Sequence, residues 1–417
     1  MKSSIKSVKA IEILDSRGNP TVRAFGTLEN GIIGVASVPS GASTGSHEAV
    51  ELRDNDKAVF FGKGVKKAVR NINNVINLAL GGRDALCQSE IDKKLIEIDG
   101  TDNKSRLGAN AILAVSLATA KAAANLTNQP LFRYLGGLNF TTLPTPMMNV
   151  INGGAHAGNS LDFQEFMIVP IGFSSFSEKL RAGVEIYHVL GEILRKKGMS
   201  TGVGDEGGYA PEFKGEEEAL HTLVEAINGA GYNTEKVKIA LDVASSEWKA
   251  KEGYFLPKTA INLSSDDLVK KLEELIKKYP IISVEDGLGE NDWEGWEKLT
   301  ESLGRKVMLV GDDLFVTNTE RLKMGIYKKC GNSILIKPNQ IGSLSETLDV
   351  IFHAQKNGYK TVISHRSGET ADTFISDLAV ATNSPFIKTG APCRSERCEK
   401  YNRLIEIEEF YMDSKKF

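Results

Sequence analysis

Short apolar segments that each end in a charged or polar residue recur through the second half of the chain. The six segments end, in chain order, at Asp242, Glu285, Asp312, Lys337, His365 and Lys388. After the first interval the endings lie 23 to 28 residues apart, which is about the length of one strand–helix unit in an eight-stranded barrel. Val, Ile and Leu fill these segments without alternation, as in parallel strands buried on both faces. The pattern predicts an α/β fold, a (β/α)8 barrel that carries these six side chains around one mouth, the face formed by the carboxyl ends of its strands.

The first third of the chain has a different pattern. Residues 5–38 alternate loosely between apolar and polar positions and contain turn signals, which predicts a short antiparallel sheet. Helical patterns fill residues 58–135, and the segment 136–146 combines Gly, Thr and two prolines as a linker would. We therefore predict an N-terminal α+β capping domain over residues 1–137 and a barrel domain over residues 138–417.

Composition and charge favour a soluble protein over a nucleic-acid-binding or membrane protein. The chain has 417 residues and a net charge of −3, so it lacks the basic field that nucleic acids require. Its first residues lack the apolar core of a signal peptide. The most apolar helical segment, Asn110–Leu126, is rich in Ala, Ser and Thr, so we expect a buried core helix and no membrane span. Four cysteines without a CxxC pair indicate reduced thiols and a cytoplasmic location.

The three carboxylates at strand ends, Asp242, Glu285 and Asp312, indicate a metal site. Carboxylate oxygens from separate strands suit a hard octahedral cation such as Mg²⁺. Zinc prefers His and Cys ligands, and only His365 is near in this order. A single acidic strand end is more often a helix cap or a solvated charge. Three carboxylates and two lysines on consecutive strand ends are too costly to bury without a use.

One glycine-rich segment matches a dinucleotide-binding motif only in its letters. Residues 202–207 read GxGxxG, but that motif needs a strand before it and a helix after it. Here the segment follows a helix end and precedes a Gly-Tyr-Ala-Pro turn. The remaining interpretation is a turn on which the Glu206 carboxyl faces a cavity.

Three further segments carry candidate chemistry. Residues 40–45 and 152–160 are rich in small residues and surround Ser43 and His156 respectively, so each is either an active-site lid or a mobile surface loop. Residues 365–367, His-Arg-Ser, offer an imidazole, an arginine fork and a hydroxyl at one predicted strand end. Such a group is well suited to bind a phosphate.

The order of these motifs along the chain resembles that of the enolase (phosphopyruvate hydratase) family. The resemblance covers essentially the whole chain and is carried by the strings ILDSRGNPTV, SGASTG, MMNVINGGAHAGNSLDFQEFMI, GVGDEGGYAP, SVEDGL, GDDLFVTN, LIKPNQIGSLSET, SHRSGET, IKTG, CRSER and KYN. Any one of them could arise by chance, whereas together and in order they are highly specific.

The resemblance implies the reversible dehydration of 2-phospho-D-glycerate to phosphoenolpyruvate, with two Mg²⁺ ions in each active site. The ligands that it implies for the first ion are Asp242, Glu285 and Asp312. Ser43 would help to hold the second, substrate-dependent ion. Arg366 and Ser367 would bind the substrate phosphate, and Lys388 would meet its carboxylate region. The side chains that would complete the closed site are His156, Gln164, Glu165 and His365.

The same resemblance implies that Lys337 is the base at C2 and Glu206 the acid at the C3 hydroxyl. A proton beside a carboxylate is very weakly acidic, and divalent cations stabilise the ene-diolate that its removal forms. Lys337 must be neutral to act, which costs about 4–5 kcal/mol at pH 7 for a lysine of ordinary pKa. We expect Mg²⁺ and Lys388 to lower the pKa of Lys337, and Glu165 to raise the pKa of Glu206 by like-charge repulsion.

Two positions depart from the family pattern in a correlated way. Arg23 stands where the family usually has Glu, and Glu406 stands where it usually has Arg. In enolases these positions pair across a dimer interface, so the exchange keeps the pair with reversed polarity. We therefore expect a homodimer with two-fold symmetry, with a higher oligomer as an open alternative.

Two other functions stay open as alternatives. A racemase or cycloisomerase would share the barrel carboxylates, but it would have no evident need for SGASTG or for the phosphate-binding pair Arg366 and Ser367. A non-catalytic binding protein with the same fold predicts the loss of site residues, and none is lost from this sequence.

Overall fold

A three-stranded sheet and a group of helices form the N-terminal part of the protein. The computed structural model describes residues 2–41, 45–138 and 142–412. The strands of this part pair antiparallel in the order β1 (Ile5–Leu14), β2 (Pro20–Leu28) and β3 (Ile33–Ser37). The helices that follow are α1 (Lys66–Asn71), α2 (Asn77–Leu80), α3 (Gln88–Asp99), α4 (Ala109–Leu126) and α5 (Leu131–Gly136). The predicted α+β organisation is confirmed.

Helix α4 forms the core of this part. Within the described residues it is the one helix long and apolar enough to cross a membrane by length and composition, and 83% of its residues are buried inside the fold. It packs against β2 and β3. A Cβ on Gly34 of β3 would lie 2.1 Å from the carbonyl oxygen of Ala118, so only glycine fits where strand and helix cross. The predicted buried core helix is confirmed.

A closed barrel of eight strands forms the C-terminal part. The strands of this part, in chain order, are β4 (Thr145–Asn152), β5 (Glu165–Pro170), β6 (Val237–Asp242), β7 (Tyr254–Leu256), β8 (Ile261–Leu263), β9 (Ile281–Glu285), β10 (Met308–Gly311), β11 (Ser333–Ile336), β12 (Lys360–Ser364) and β13 (Phe386–Lys388). Strands β7 and β8 form a separate hairpin, and the others close in the order β4-β5-β6-β9-β10-β11-β12-β13.

Helices alternate with most of the barrel strands, as the spacing of strand ends predicts. They are α6 (Phe176–Lys196), α7 (Glu216–Gly229), α8 (Ser265–Lys278), α9 (Trp293–Leu303), α10 (Thr319–Lys328), α11 (Pro338–Ile341), α12 (Leu344–Lys356), α13 (Phe374–Ala381) and α14 (Ser395–Ile407). The barrel fold is therefore confirmed.

One strand runs against the others, which corrects the expectation of eight parallel strands. Strand β5 pairs antiparallel with both β4 and β6, because the segment 153–164 before it holds one 3₁₀ turn and no crossover helix. Consequently β5 begins at the mouth, where Glu165 lies opposite Asp242. The connection between α6 and α7 also reaches the mouth, since Tyr209 exchanges backbone hydrogen bonds with Val150 and Asn152.

Apolar side chains fill the inside of the barrel. The buried residues of this cluster are Met147, Met167, Val169, Ala240, Met308, Val310, Leu335 and Val362. Because the interior is packed, polar side chains that belong to the barrel strands can meet only at its ends.

A mostly buried ion pair joins the two parts of the protein. Lys121 of α4 lies 2.7 Å from both carboxylate oxygens of Asp372, which precedes α13. The backbone N–H of Ser37 also donates to Asp372 at 2.9 Å. Burial alone would raise the pKa of Asp372, but the Lys121 ammonium outweighs it and holds the pKa below its ordinary value.

We expect Asp372→Asn to destabilise the protein in a pH-dependent way. The pKa of Asp372 is lowered from 3.8, so its stabilising contribution is complete above that pH and is lost as the pH falls through the lowered pKa. The substitution should cost about 1.5–3 kcal/mol near neutral pH and progressively less below about pH 4. Midpoints of urea unfolding measured across this range test the expectation.

The matched control is Asp266→Asn, which breaks an exposed pair with Lys298 at 2.7 Å. Solvent screens such a pair, so this substitution should have little effect at any pH. Equal effects of the two substitutions near neutral pH would contradict a special role for the buried pair.

Candidate active site

The six predicted strand ends meet at the mouth of the barrel. Each is the last residue of its strand or directly follows it: Asp242, Glu285, Asp312, Lys337, His365 and Lys388. The predicted site residues that line one cleft here are His156, Gln164, Glu165, Glu206, Asp242, Asp312, Lys337, His365, Arg366, Ser367 and Lys388. Glu285 is buried and contacts Lys388. Ser43 lies outside the described residues.

Two lysines lie among the carboxylates of the cleft, Lys388 buried and Lys337 partly buried. The Nζ of Lys388 is 3.0 Å from Asp242 Oδ2, 2.9 Å from Glu285 Oε1 and 3.1 Å from Glu165 Oε2. The carboxylates raise the pKa of Lys388 well above its ordinary value against the opposing effect of burial. This single ammonium therefore neutralises charge from three strands.

The second lysine, Lys337, has a carboxylate as its nearest charged partner. Lys337 Nζ lies 2.5 Å from Asp312 Oδ2. Burial, Arg366 and Lys388 all act to lower the pKa of Lys337, as expected for Lys388, but the Asp312 carboxylate outweighs them and the pKa is raised. Lys388 thus acts in the expected direction, and the contact with the Asp312 carboxylate opposes it. The expected effect of Mg²⁺ on the pKa of Lys337 stays a prediction.

The donor chemistry around Lys388 fits a divalent metal ion. Asp242 and Glu285 both lie against the Lys388 ammonium, so a cation in its position would face both carboxylates. Burial and the Asp242 charge raise the pKa of Glu285 well above its ordinary value, which shows that these carboxylates are crowded even with the lysine present. An all-oxygen, anionic donor set of this kind suits a hard cation.

The predicted trio of metal ligands is, however, not gathered at one point. Among the residues that the structure describes, the ligand atoms that all lie within 4.8 Å of one another belong to two other sets: Asp286 with Asp312 and Asp313, and His156 with Glu165 and Glu206. Of the trio, only Asp312 belongs to one of these sets. The reason is that Lys388 lies between Asp242 and Glu285, while Asp312 is drawn to Lys337.

Asp286 is a site residue that the sequence analysis missed. Its two oxygens accept the backbone N–H groups of Asp312 and Asp313, each at 2.9 Å. It therefore holds the start of the loop that presents Asp312. Burial and the Asp312 charge raise the pKa of Asp313 to about 7. The signal was present in the sequence, since Asp286 directly follows the strand end at Glu285.

Glu206 lies in the wall of the cleft among polar partners. Asn149 Nδ2 donates to Glu206 Oε2 at 3.0 Å, and His365 Nε2 lies 3.4 Å from the same oxygen. His156 Nδ1 is 3.9 Å from Glu206 Oε1 and 3.8 Å from Glu165 Oε1. The turn that carries Glu206 thus faces a cavity, as its sequence context indicated.

The pKa shifts of the two glutamates are opposite to the expected assignment. Burial, followed by the charge of Glu206, raises the pKa of Glu165 well above its ordinary value. Burial would also raise the pKa of Glu206, but His365 and His156 outweigh it and hold that pKa well below the usual range. The expected repulsion exists, yet it acts to raise the pKa of Glu165 and not that of Glu206, because the two histidines lie beside Glu206.

The capping part supplies a carboxylate to the proposed phosphate-binding arginine. Glu48 accepts from Arg366 through both of its oxygens, at 3.0 and 3.1 Å, a forked geometry that fixes the guanidinium plane. Arg366 also donates to Asn339 at 3.0 Å. Arg17, from the β1–β2 turn, donates to Ser367 Oγ at 3.4 Å. The roles of Glu48 and Arg17 were missed because they depend on docking of the two parts.

Arg397 is a further missed residue. It is fully buried in α14, and its guanidinium donates to the backbone carbonyls of Arg366, Ser367 and Asp205 at 2.6, 2.7 and 3.0 Å. One side chain thus ties the segment after β12 to the turn that carries Glu206. The CRSER string contained it, but nothing in that string indicated what it would contact.

The fold and the site together define a capped eight-stranded barrel with buried carboxylates and lysines at its mouth. Residues 5–135 match the family model "Enolase, N-terminal domain", and residues 140–417 match "Enolase, C-terminal TIM barrel domain". The chain belongs to the enolase family. It is accordingly a lyase-type enzyme of the enolase superfamily, a metal-dependent family that acts on small-molecule substrates, and its acidic groups could hold the metal.

We expect a divalent cation, tested as Mg²⁺, to stabilise the protein through Asp242. An ion that binds only the folded chain adds about 2.7 kcal/mol to the free energy of unfolding when present at about 100 times its Kd. Thermal unfolding with and without the ion measures this gain. Asp242→Asn should lose it, because an amide oxygen lacks the charge that a hard cation prefers.

Glu247→Gln is the matched control, since this exposed carboxylate lines the same cleft but was not predicted as a ligand. It should keep the gain. A stabilisation by Mg²⁺ that survives in Asp242→Asn would remove Asp242 from the ligand set.

Proposed function

We propose that the chain catalyses the reversible dehydration of 2-phospho-D-glycerate to phosphoenolpyruvate in the cytoplasm, with Mg²⁺ as its cofactor and two ions in each active site. The observation that supports this most is a single cleft lined by a lysine, a buried glutamate, an arginine–serine pair and crowded carboxylates. These are the groups that proton removal at C2, loss of the C3 hydroxyl, phosphate binding and metal binding require.

Lys337 is the proposed base that removes the C2 proton. Its ammonium is stabilised chiefly by Asp312. When Asp312 is engaged by a metal ion, burial and the charges of Arg366 and Lys388 are left to lower the lysine pKa. Mg²⁺, when bound, would supply positive charge that stabilises the negative charge formed as the proton leaves.

Glu206 is the proposed acid that protonates the departing C3 hydroxyl. Its low pKa means that it needs additional negative charge nearby to hold a proton. The phosphate and carboxylate of a bound substrate would provide that charge. The acid would therefore become competent only when the site is filled, which limits side reactions.

The other cleft residues are proposed to bind the substrate. Arg366 and Ser367 would take the phosphate, and Lys388 the carboxylate region. Within the described residues, the buried Oε1 of Gln164 has no hydrogen-bond partner, which leaves an acceptor for a substrate hydroxyl. The walls of the closed site would be formed by His156, Glu165 and His365. Ser43 remains the predicted helper of the second ion.

The deciding experiment measures absorbance near the phosphoenolpyruvate band after addition of 2-phosphoglycerate. We expect an increase with Mg²⁺ and its arrest by a chelator. A racemase would exchange the C2 proton with solvent without losing water, so exchange without any absorbance change would favour that alternative. Absence of both the absorbance change and the exchange would contradict the proposal that the enzyme acts on this substrate.

We expect the acid and base to separate in their variants. Lys337→Ala should abolish exchange of the C2 proton with solvent, because no other group is proposed to remove it. Glu206→Gln should reduce net dehydration by about 10²–10⁴-fold yet leave part of the exchange, since only departure of the hydroxyl needs the acid. Deuterium exchange followed by NMR measures both; equal loss of exchange in the two variants would refute the division of roles.

We further propose a homodimer in which Arg23 of one subunit meets Glu406 of the other. Arg23 is half-buried and donates to Ser37 Oγ at 2.8 Å, while Glu406 is exposed beside a groove. Two apolar residues of β3, Ile33 (47% exposed) and Val35 (39% exposed), line the same groove. Glu406 pairs with Arg403 of its own helix at 3.1 Å and stays exposed. Apolar side chains beside an exposed charged residue support an interface at this face.

Reversal of the pair should be tolerated only when both residues change. Arg23→Glu alone should place like charges together and weaken the dimer. Adding Glu406→Arg should restore association, because the pair is then rebuilt with the polarity usual in the family. Sedimentation at low protein concentration compares the single variants with the double variant. If the double variant dissociates as readily as the single variants, the two residues do not meet.

A further inference from the structure

His365 is held between a cation and a carboxylate, one at each ring nitrogen. Its Nδ1 lies 2.6 Å from the Arg397 guanidinium, and its Nε2 lies 3.4 Å from Glu206 Oε2. Both His365 and Arg397 are buried, at 2% and 0% exposure. A Cβ on Gly390 would come within 3.2 Å of the imidazole and 2.6 Å of the Glu206 carbonyl oxygen, so the ring is closely confined.

The contact with Arg397 determines which ring nitrogen carries the proton. A guanidinium has only N–H donors, so His365 Nδ1 must accept the hydrogen bond and cannot be protonated. In a neutral imidazole the proton is then on Nε2, the nitrogen that faces Glu206. Burial lowers the pKa of His365 to about 4; the Glu206 charge opposes this effect and Arg397 adds to it. The geometry and this pKa agree on a neutral ring at physiological pH.

We infer that Arg397 is a positioning residue that fixes the Nε2–H tautomer of His365, and that this tautomer directs the exchangeable proton of Glu206 to one particular oxygen. Oε2 of Glu206 is occupied by the amide of Asn149 at 3.0 Å and faces the Nε2–H of His365. Oε1 lies 3.9 Å from His156 Nδ1 and accepts no hydrogen bond from the described residues. The proton is therefore carried by Oε1. The second half of this inference rests on the proposed role of Glu206 as the acid; the first half does not.

The opposite tautomer of His365 would reverse donor and acceptor in its contact with Glu206. With the proton on Nδ1, the lone pair of Nε2 would face the Glu206 carboxylate and would favour protonation of Oε2 instead of Oε1. The acid proton would then point at the imidazole and away from the cleft. A second function of Arg397, holding the carbonyls of Arg366 and Ser367, does not by itself require either tautomer.

The tautomer can be read directly in the full-length protein labelled with ¹⁵N-histidine, with Mg²⁺ present. The chain has six histidines, and His365→Asn identifies the relevant signals by their loss. We expect long-range proton–nitrogen spectra of the wild type near pH 7 to show a protonated Nε2 and an unprotonated Nδ1 for His365. A protonated Nδ1 in the wild type, in either the neutral or the cationic ring, would overturn the inference.

Three variants separate positioning from simple loss of a buried cation. Arg397→Lys keeps a donor and should keep the Nε2–H form. Arg397→Met removes the donor and should make the Nδ1–H form detectable. Lys400→Met removes another fully buried cation of α14, one that bonds Glu369 at 2.9 Å, and should leave the His365 signals unchanged.

An unchanged tautomer in Arg397→Met, with a native thermal transition, would contradict the proposed control by Arg397. If Arg397→Met does not fold, a mixture of the two His365 tautomers in Arg397→Lys would contradict the proposed control by Arg397 instead.

The catalytic consequence is measured separately. Arg397→Met should lower the rate of dehydration by about ten-fold or more while exchange of the C2 proton, the task of Lys337, is largely kept. Equal loss of both activities would indicate a structural effect and contradict directed proton placement. If the wild type shows the expected tautomer but does not dehydrate 2-phosphoglycerate, the proposed function fails and the assignment of the tautomer stands.

Discussion

Neutralisation of buried carboxylates by buried cations is the constraint on which the mouth of this barrel depends. Lys388 alone joins the ends of four strands, because its ammonium on β13 contacts carboxylates of β5, β6 and β9. Removing one partner of such a group leaves an uncompensated charge away from water, which typically costs about 3–5 kcal/mol. The ion pairs of the site therefore also hold the strand ends together. A ligand that enters the cleft must exchange contacts with these charged side chains.

The capping part completes the site from above the barrel. Glu48 fixes the guanidinium of Arg366, and Arg17 reaches the hydroxyl of Ser367. The same docking is secured by the ion pair of Lys121 with Asp372. Because residues of the barrel are oriented by residues more than 300 positions earlier in the chain, correct geometry of the anion-binding segment requires both parts to fold and to dock. The geometry of the site therefore depends on the interface between the two parts as much as on the barrel.

Sequence reasoning located what depends on local pattern and missed what depends on contacts between distant segments. Buried apolar runs identified the ends of six barrel strands, because burial on both faces leaves a direct trace in composition. The direction of β5 left no such trace, since direction is set by the connection and not by the strand itself. The sequence indicated one neighbour of Glu206, the carboxylate of Glu165, whereas two histidines from separate segments determine the direction of its pKa shift. Arg397 was visible in a motif, but its partner His365 could be known only from the fold.

The reversed strand has a consequence for how such an enzyme can diversify. Because β5 descends from the mouth, the two helices after it form a hairpin whose turn returns to the mouth and carries Glu206. The proposed acid therefore lies on a module inserted between two strands, whereas the acidic strand ends and the proposed base belong to the barrel frame itself. Apart from the backbone hydrogen bonds of Tyr209 to β4, this turn is not part of the barrel sheet, so its length and residue type can change while the register of the strands is kept. Replacement of this hairpin turn is accordingly the simplest route by which the same frame could keep its proposed proton removal and acquire a different second step.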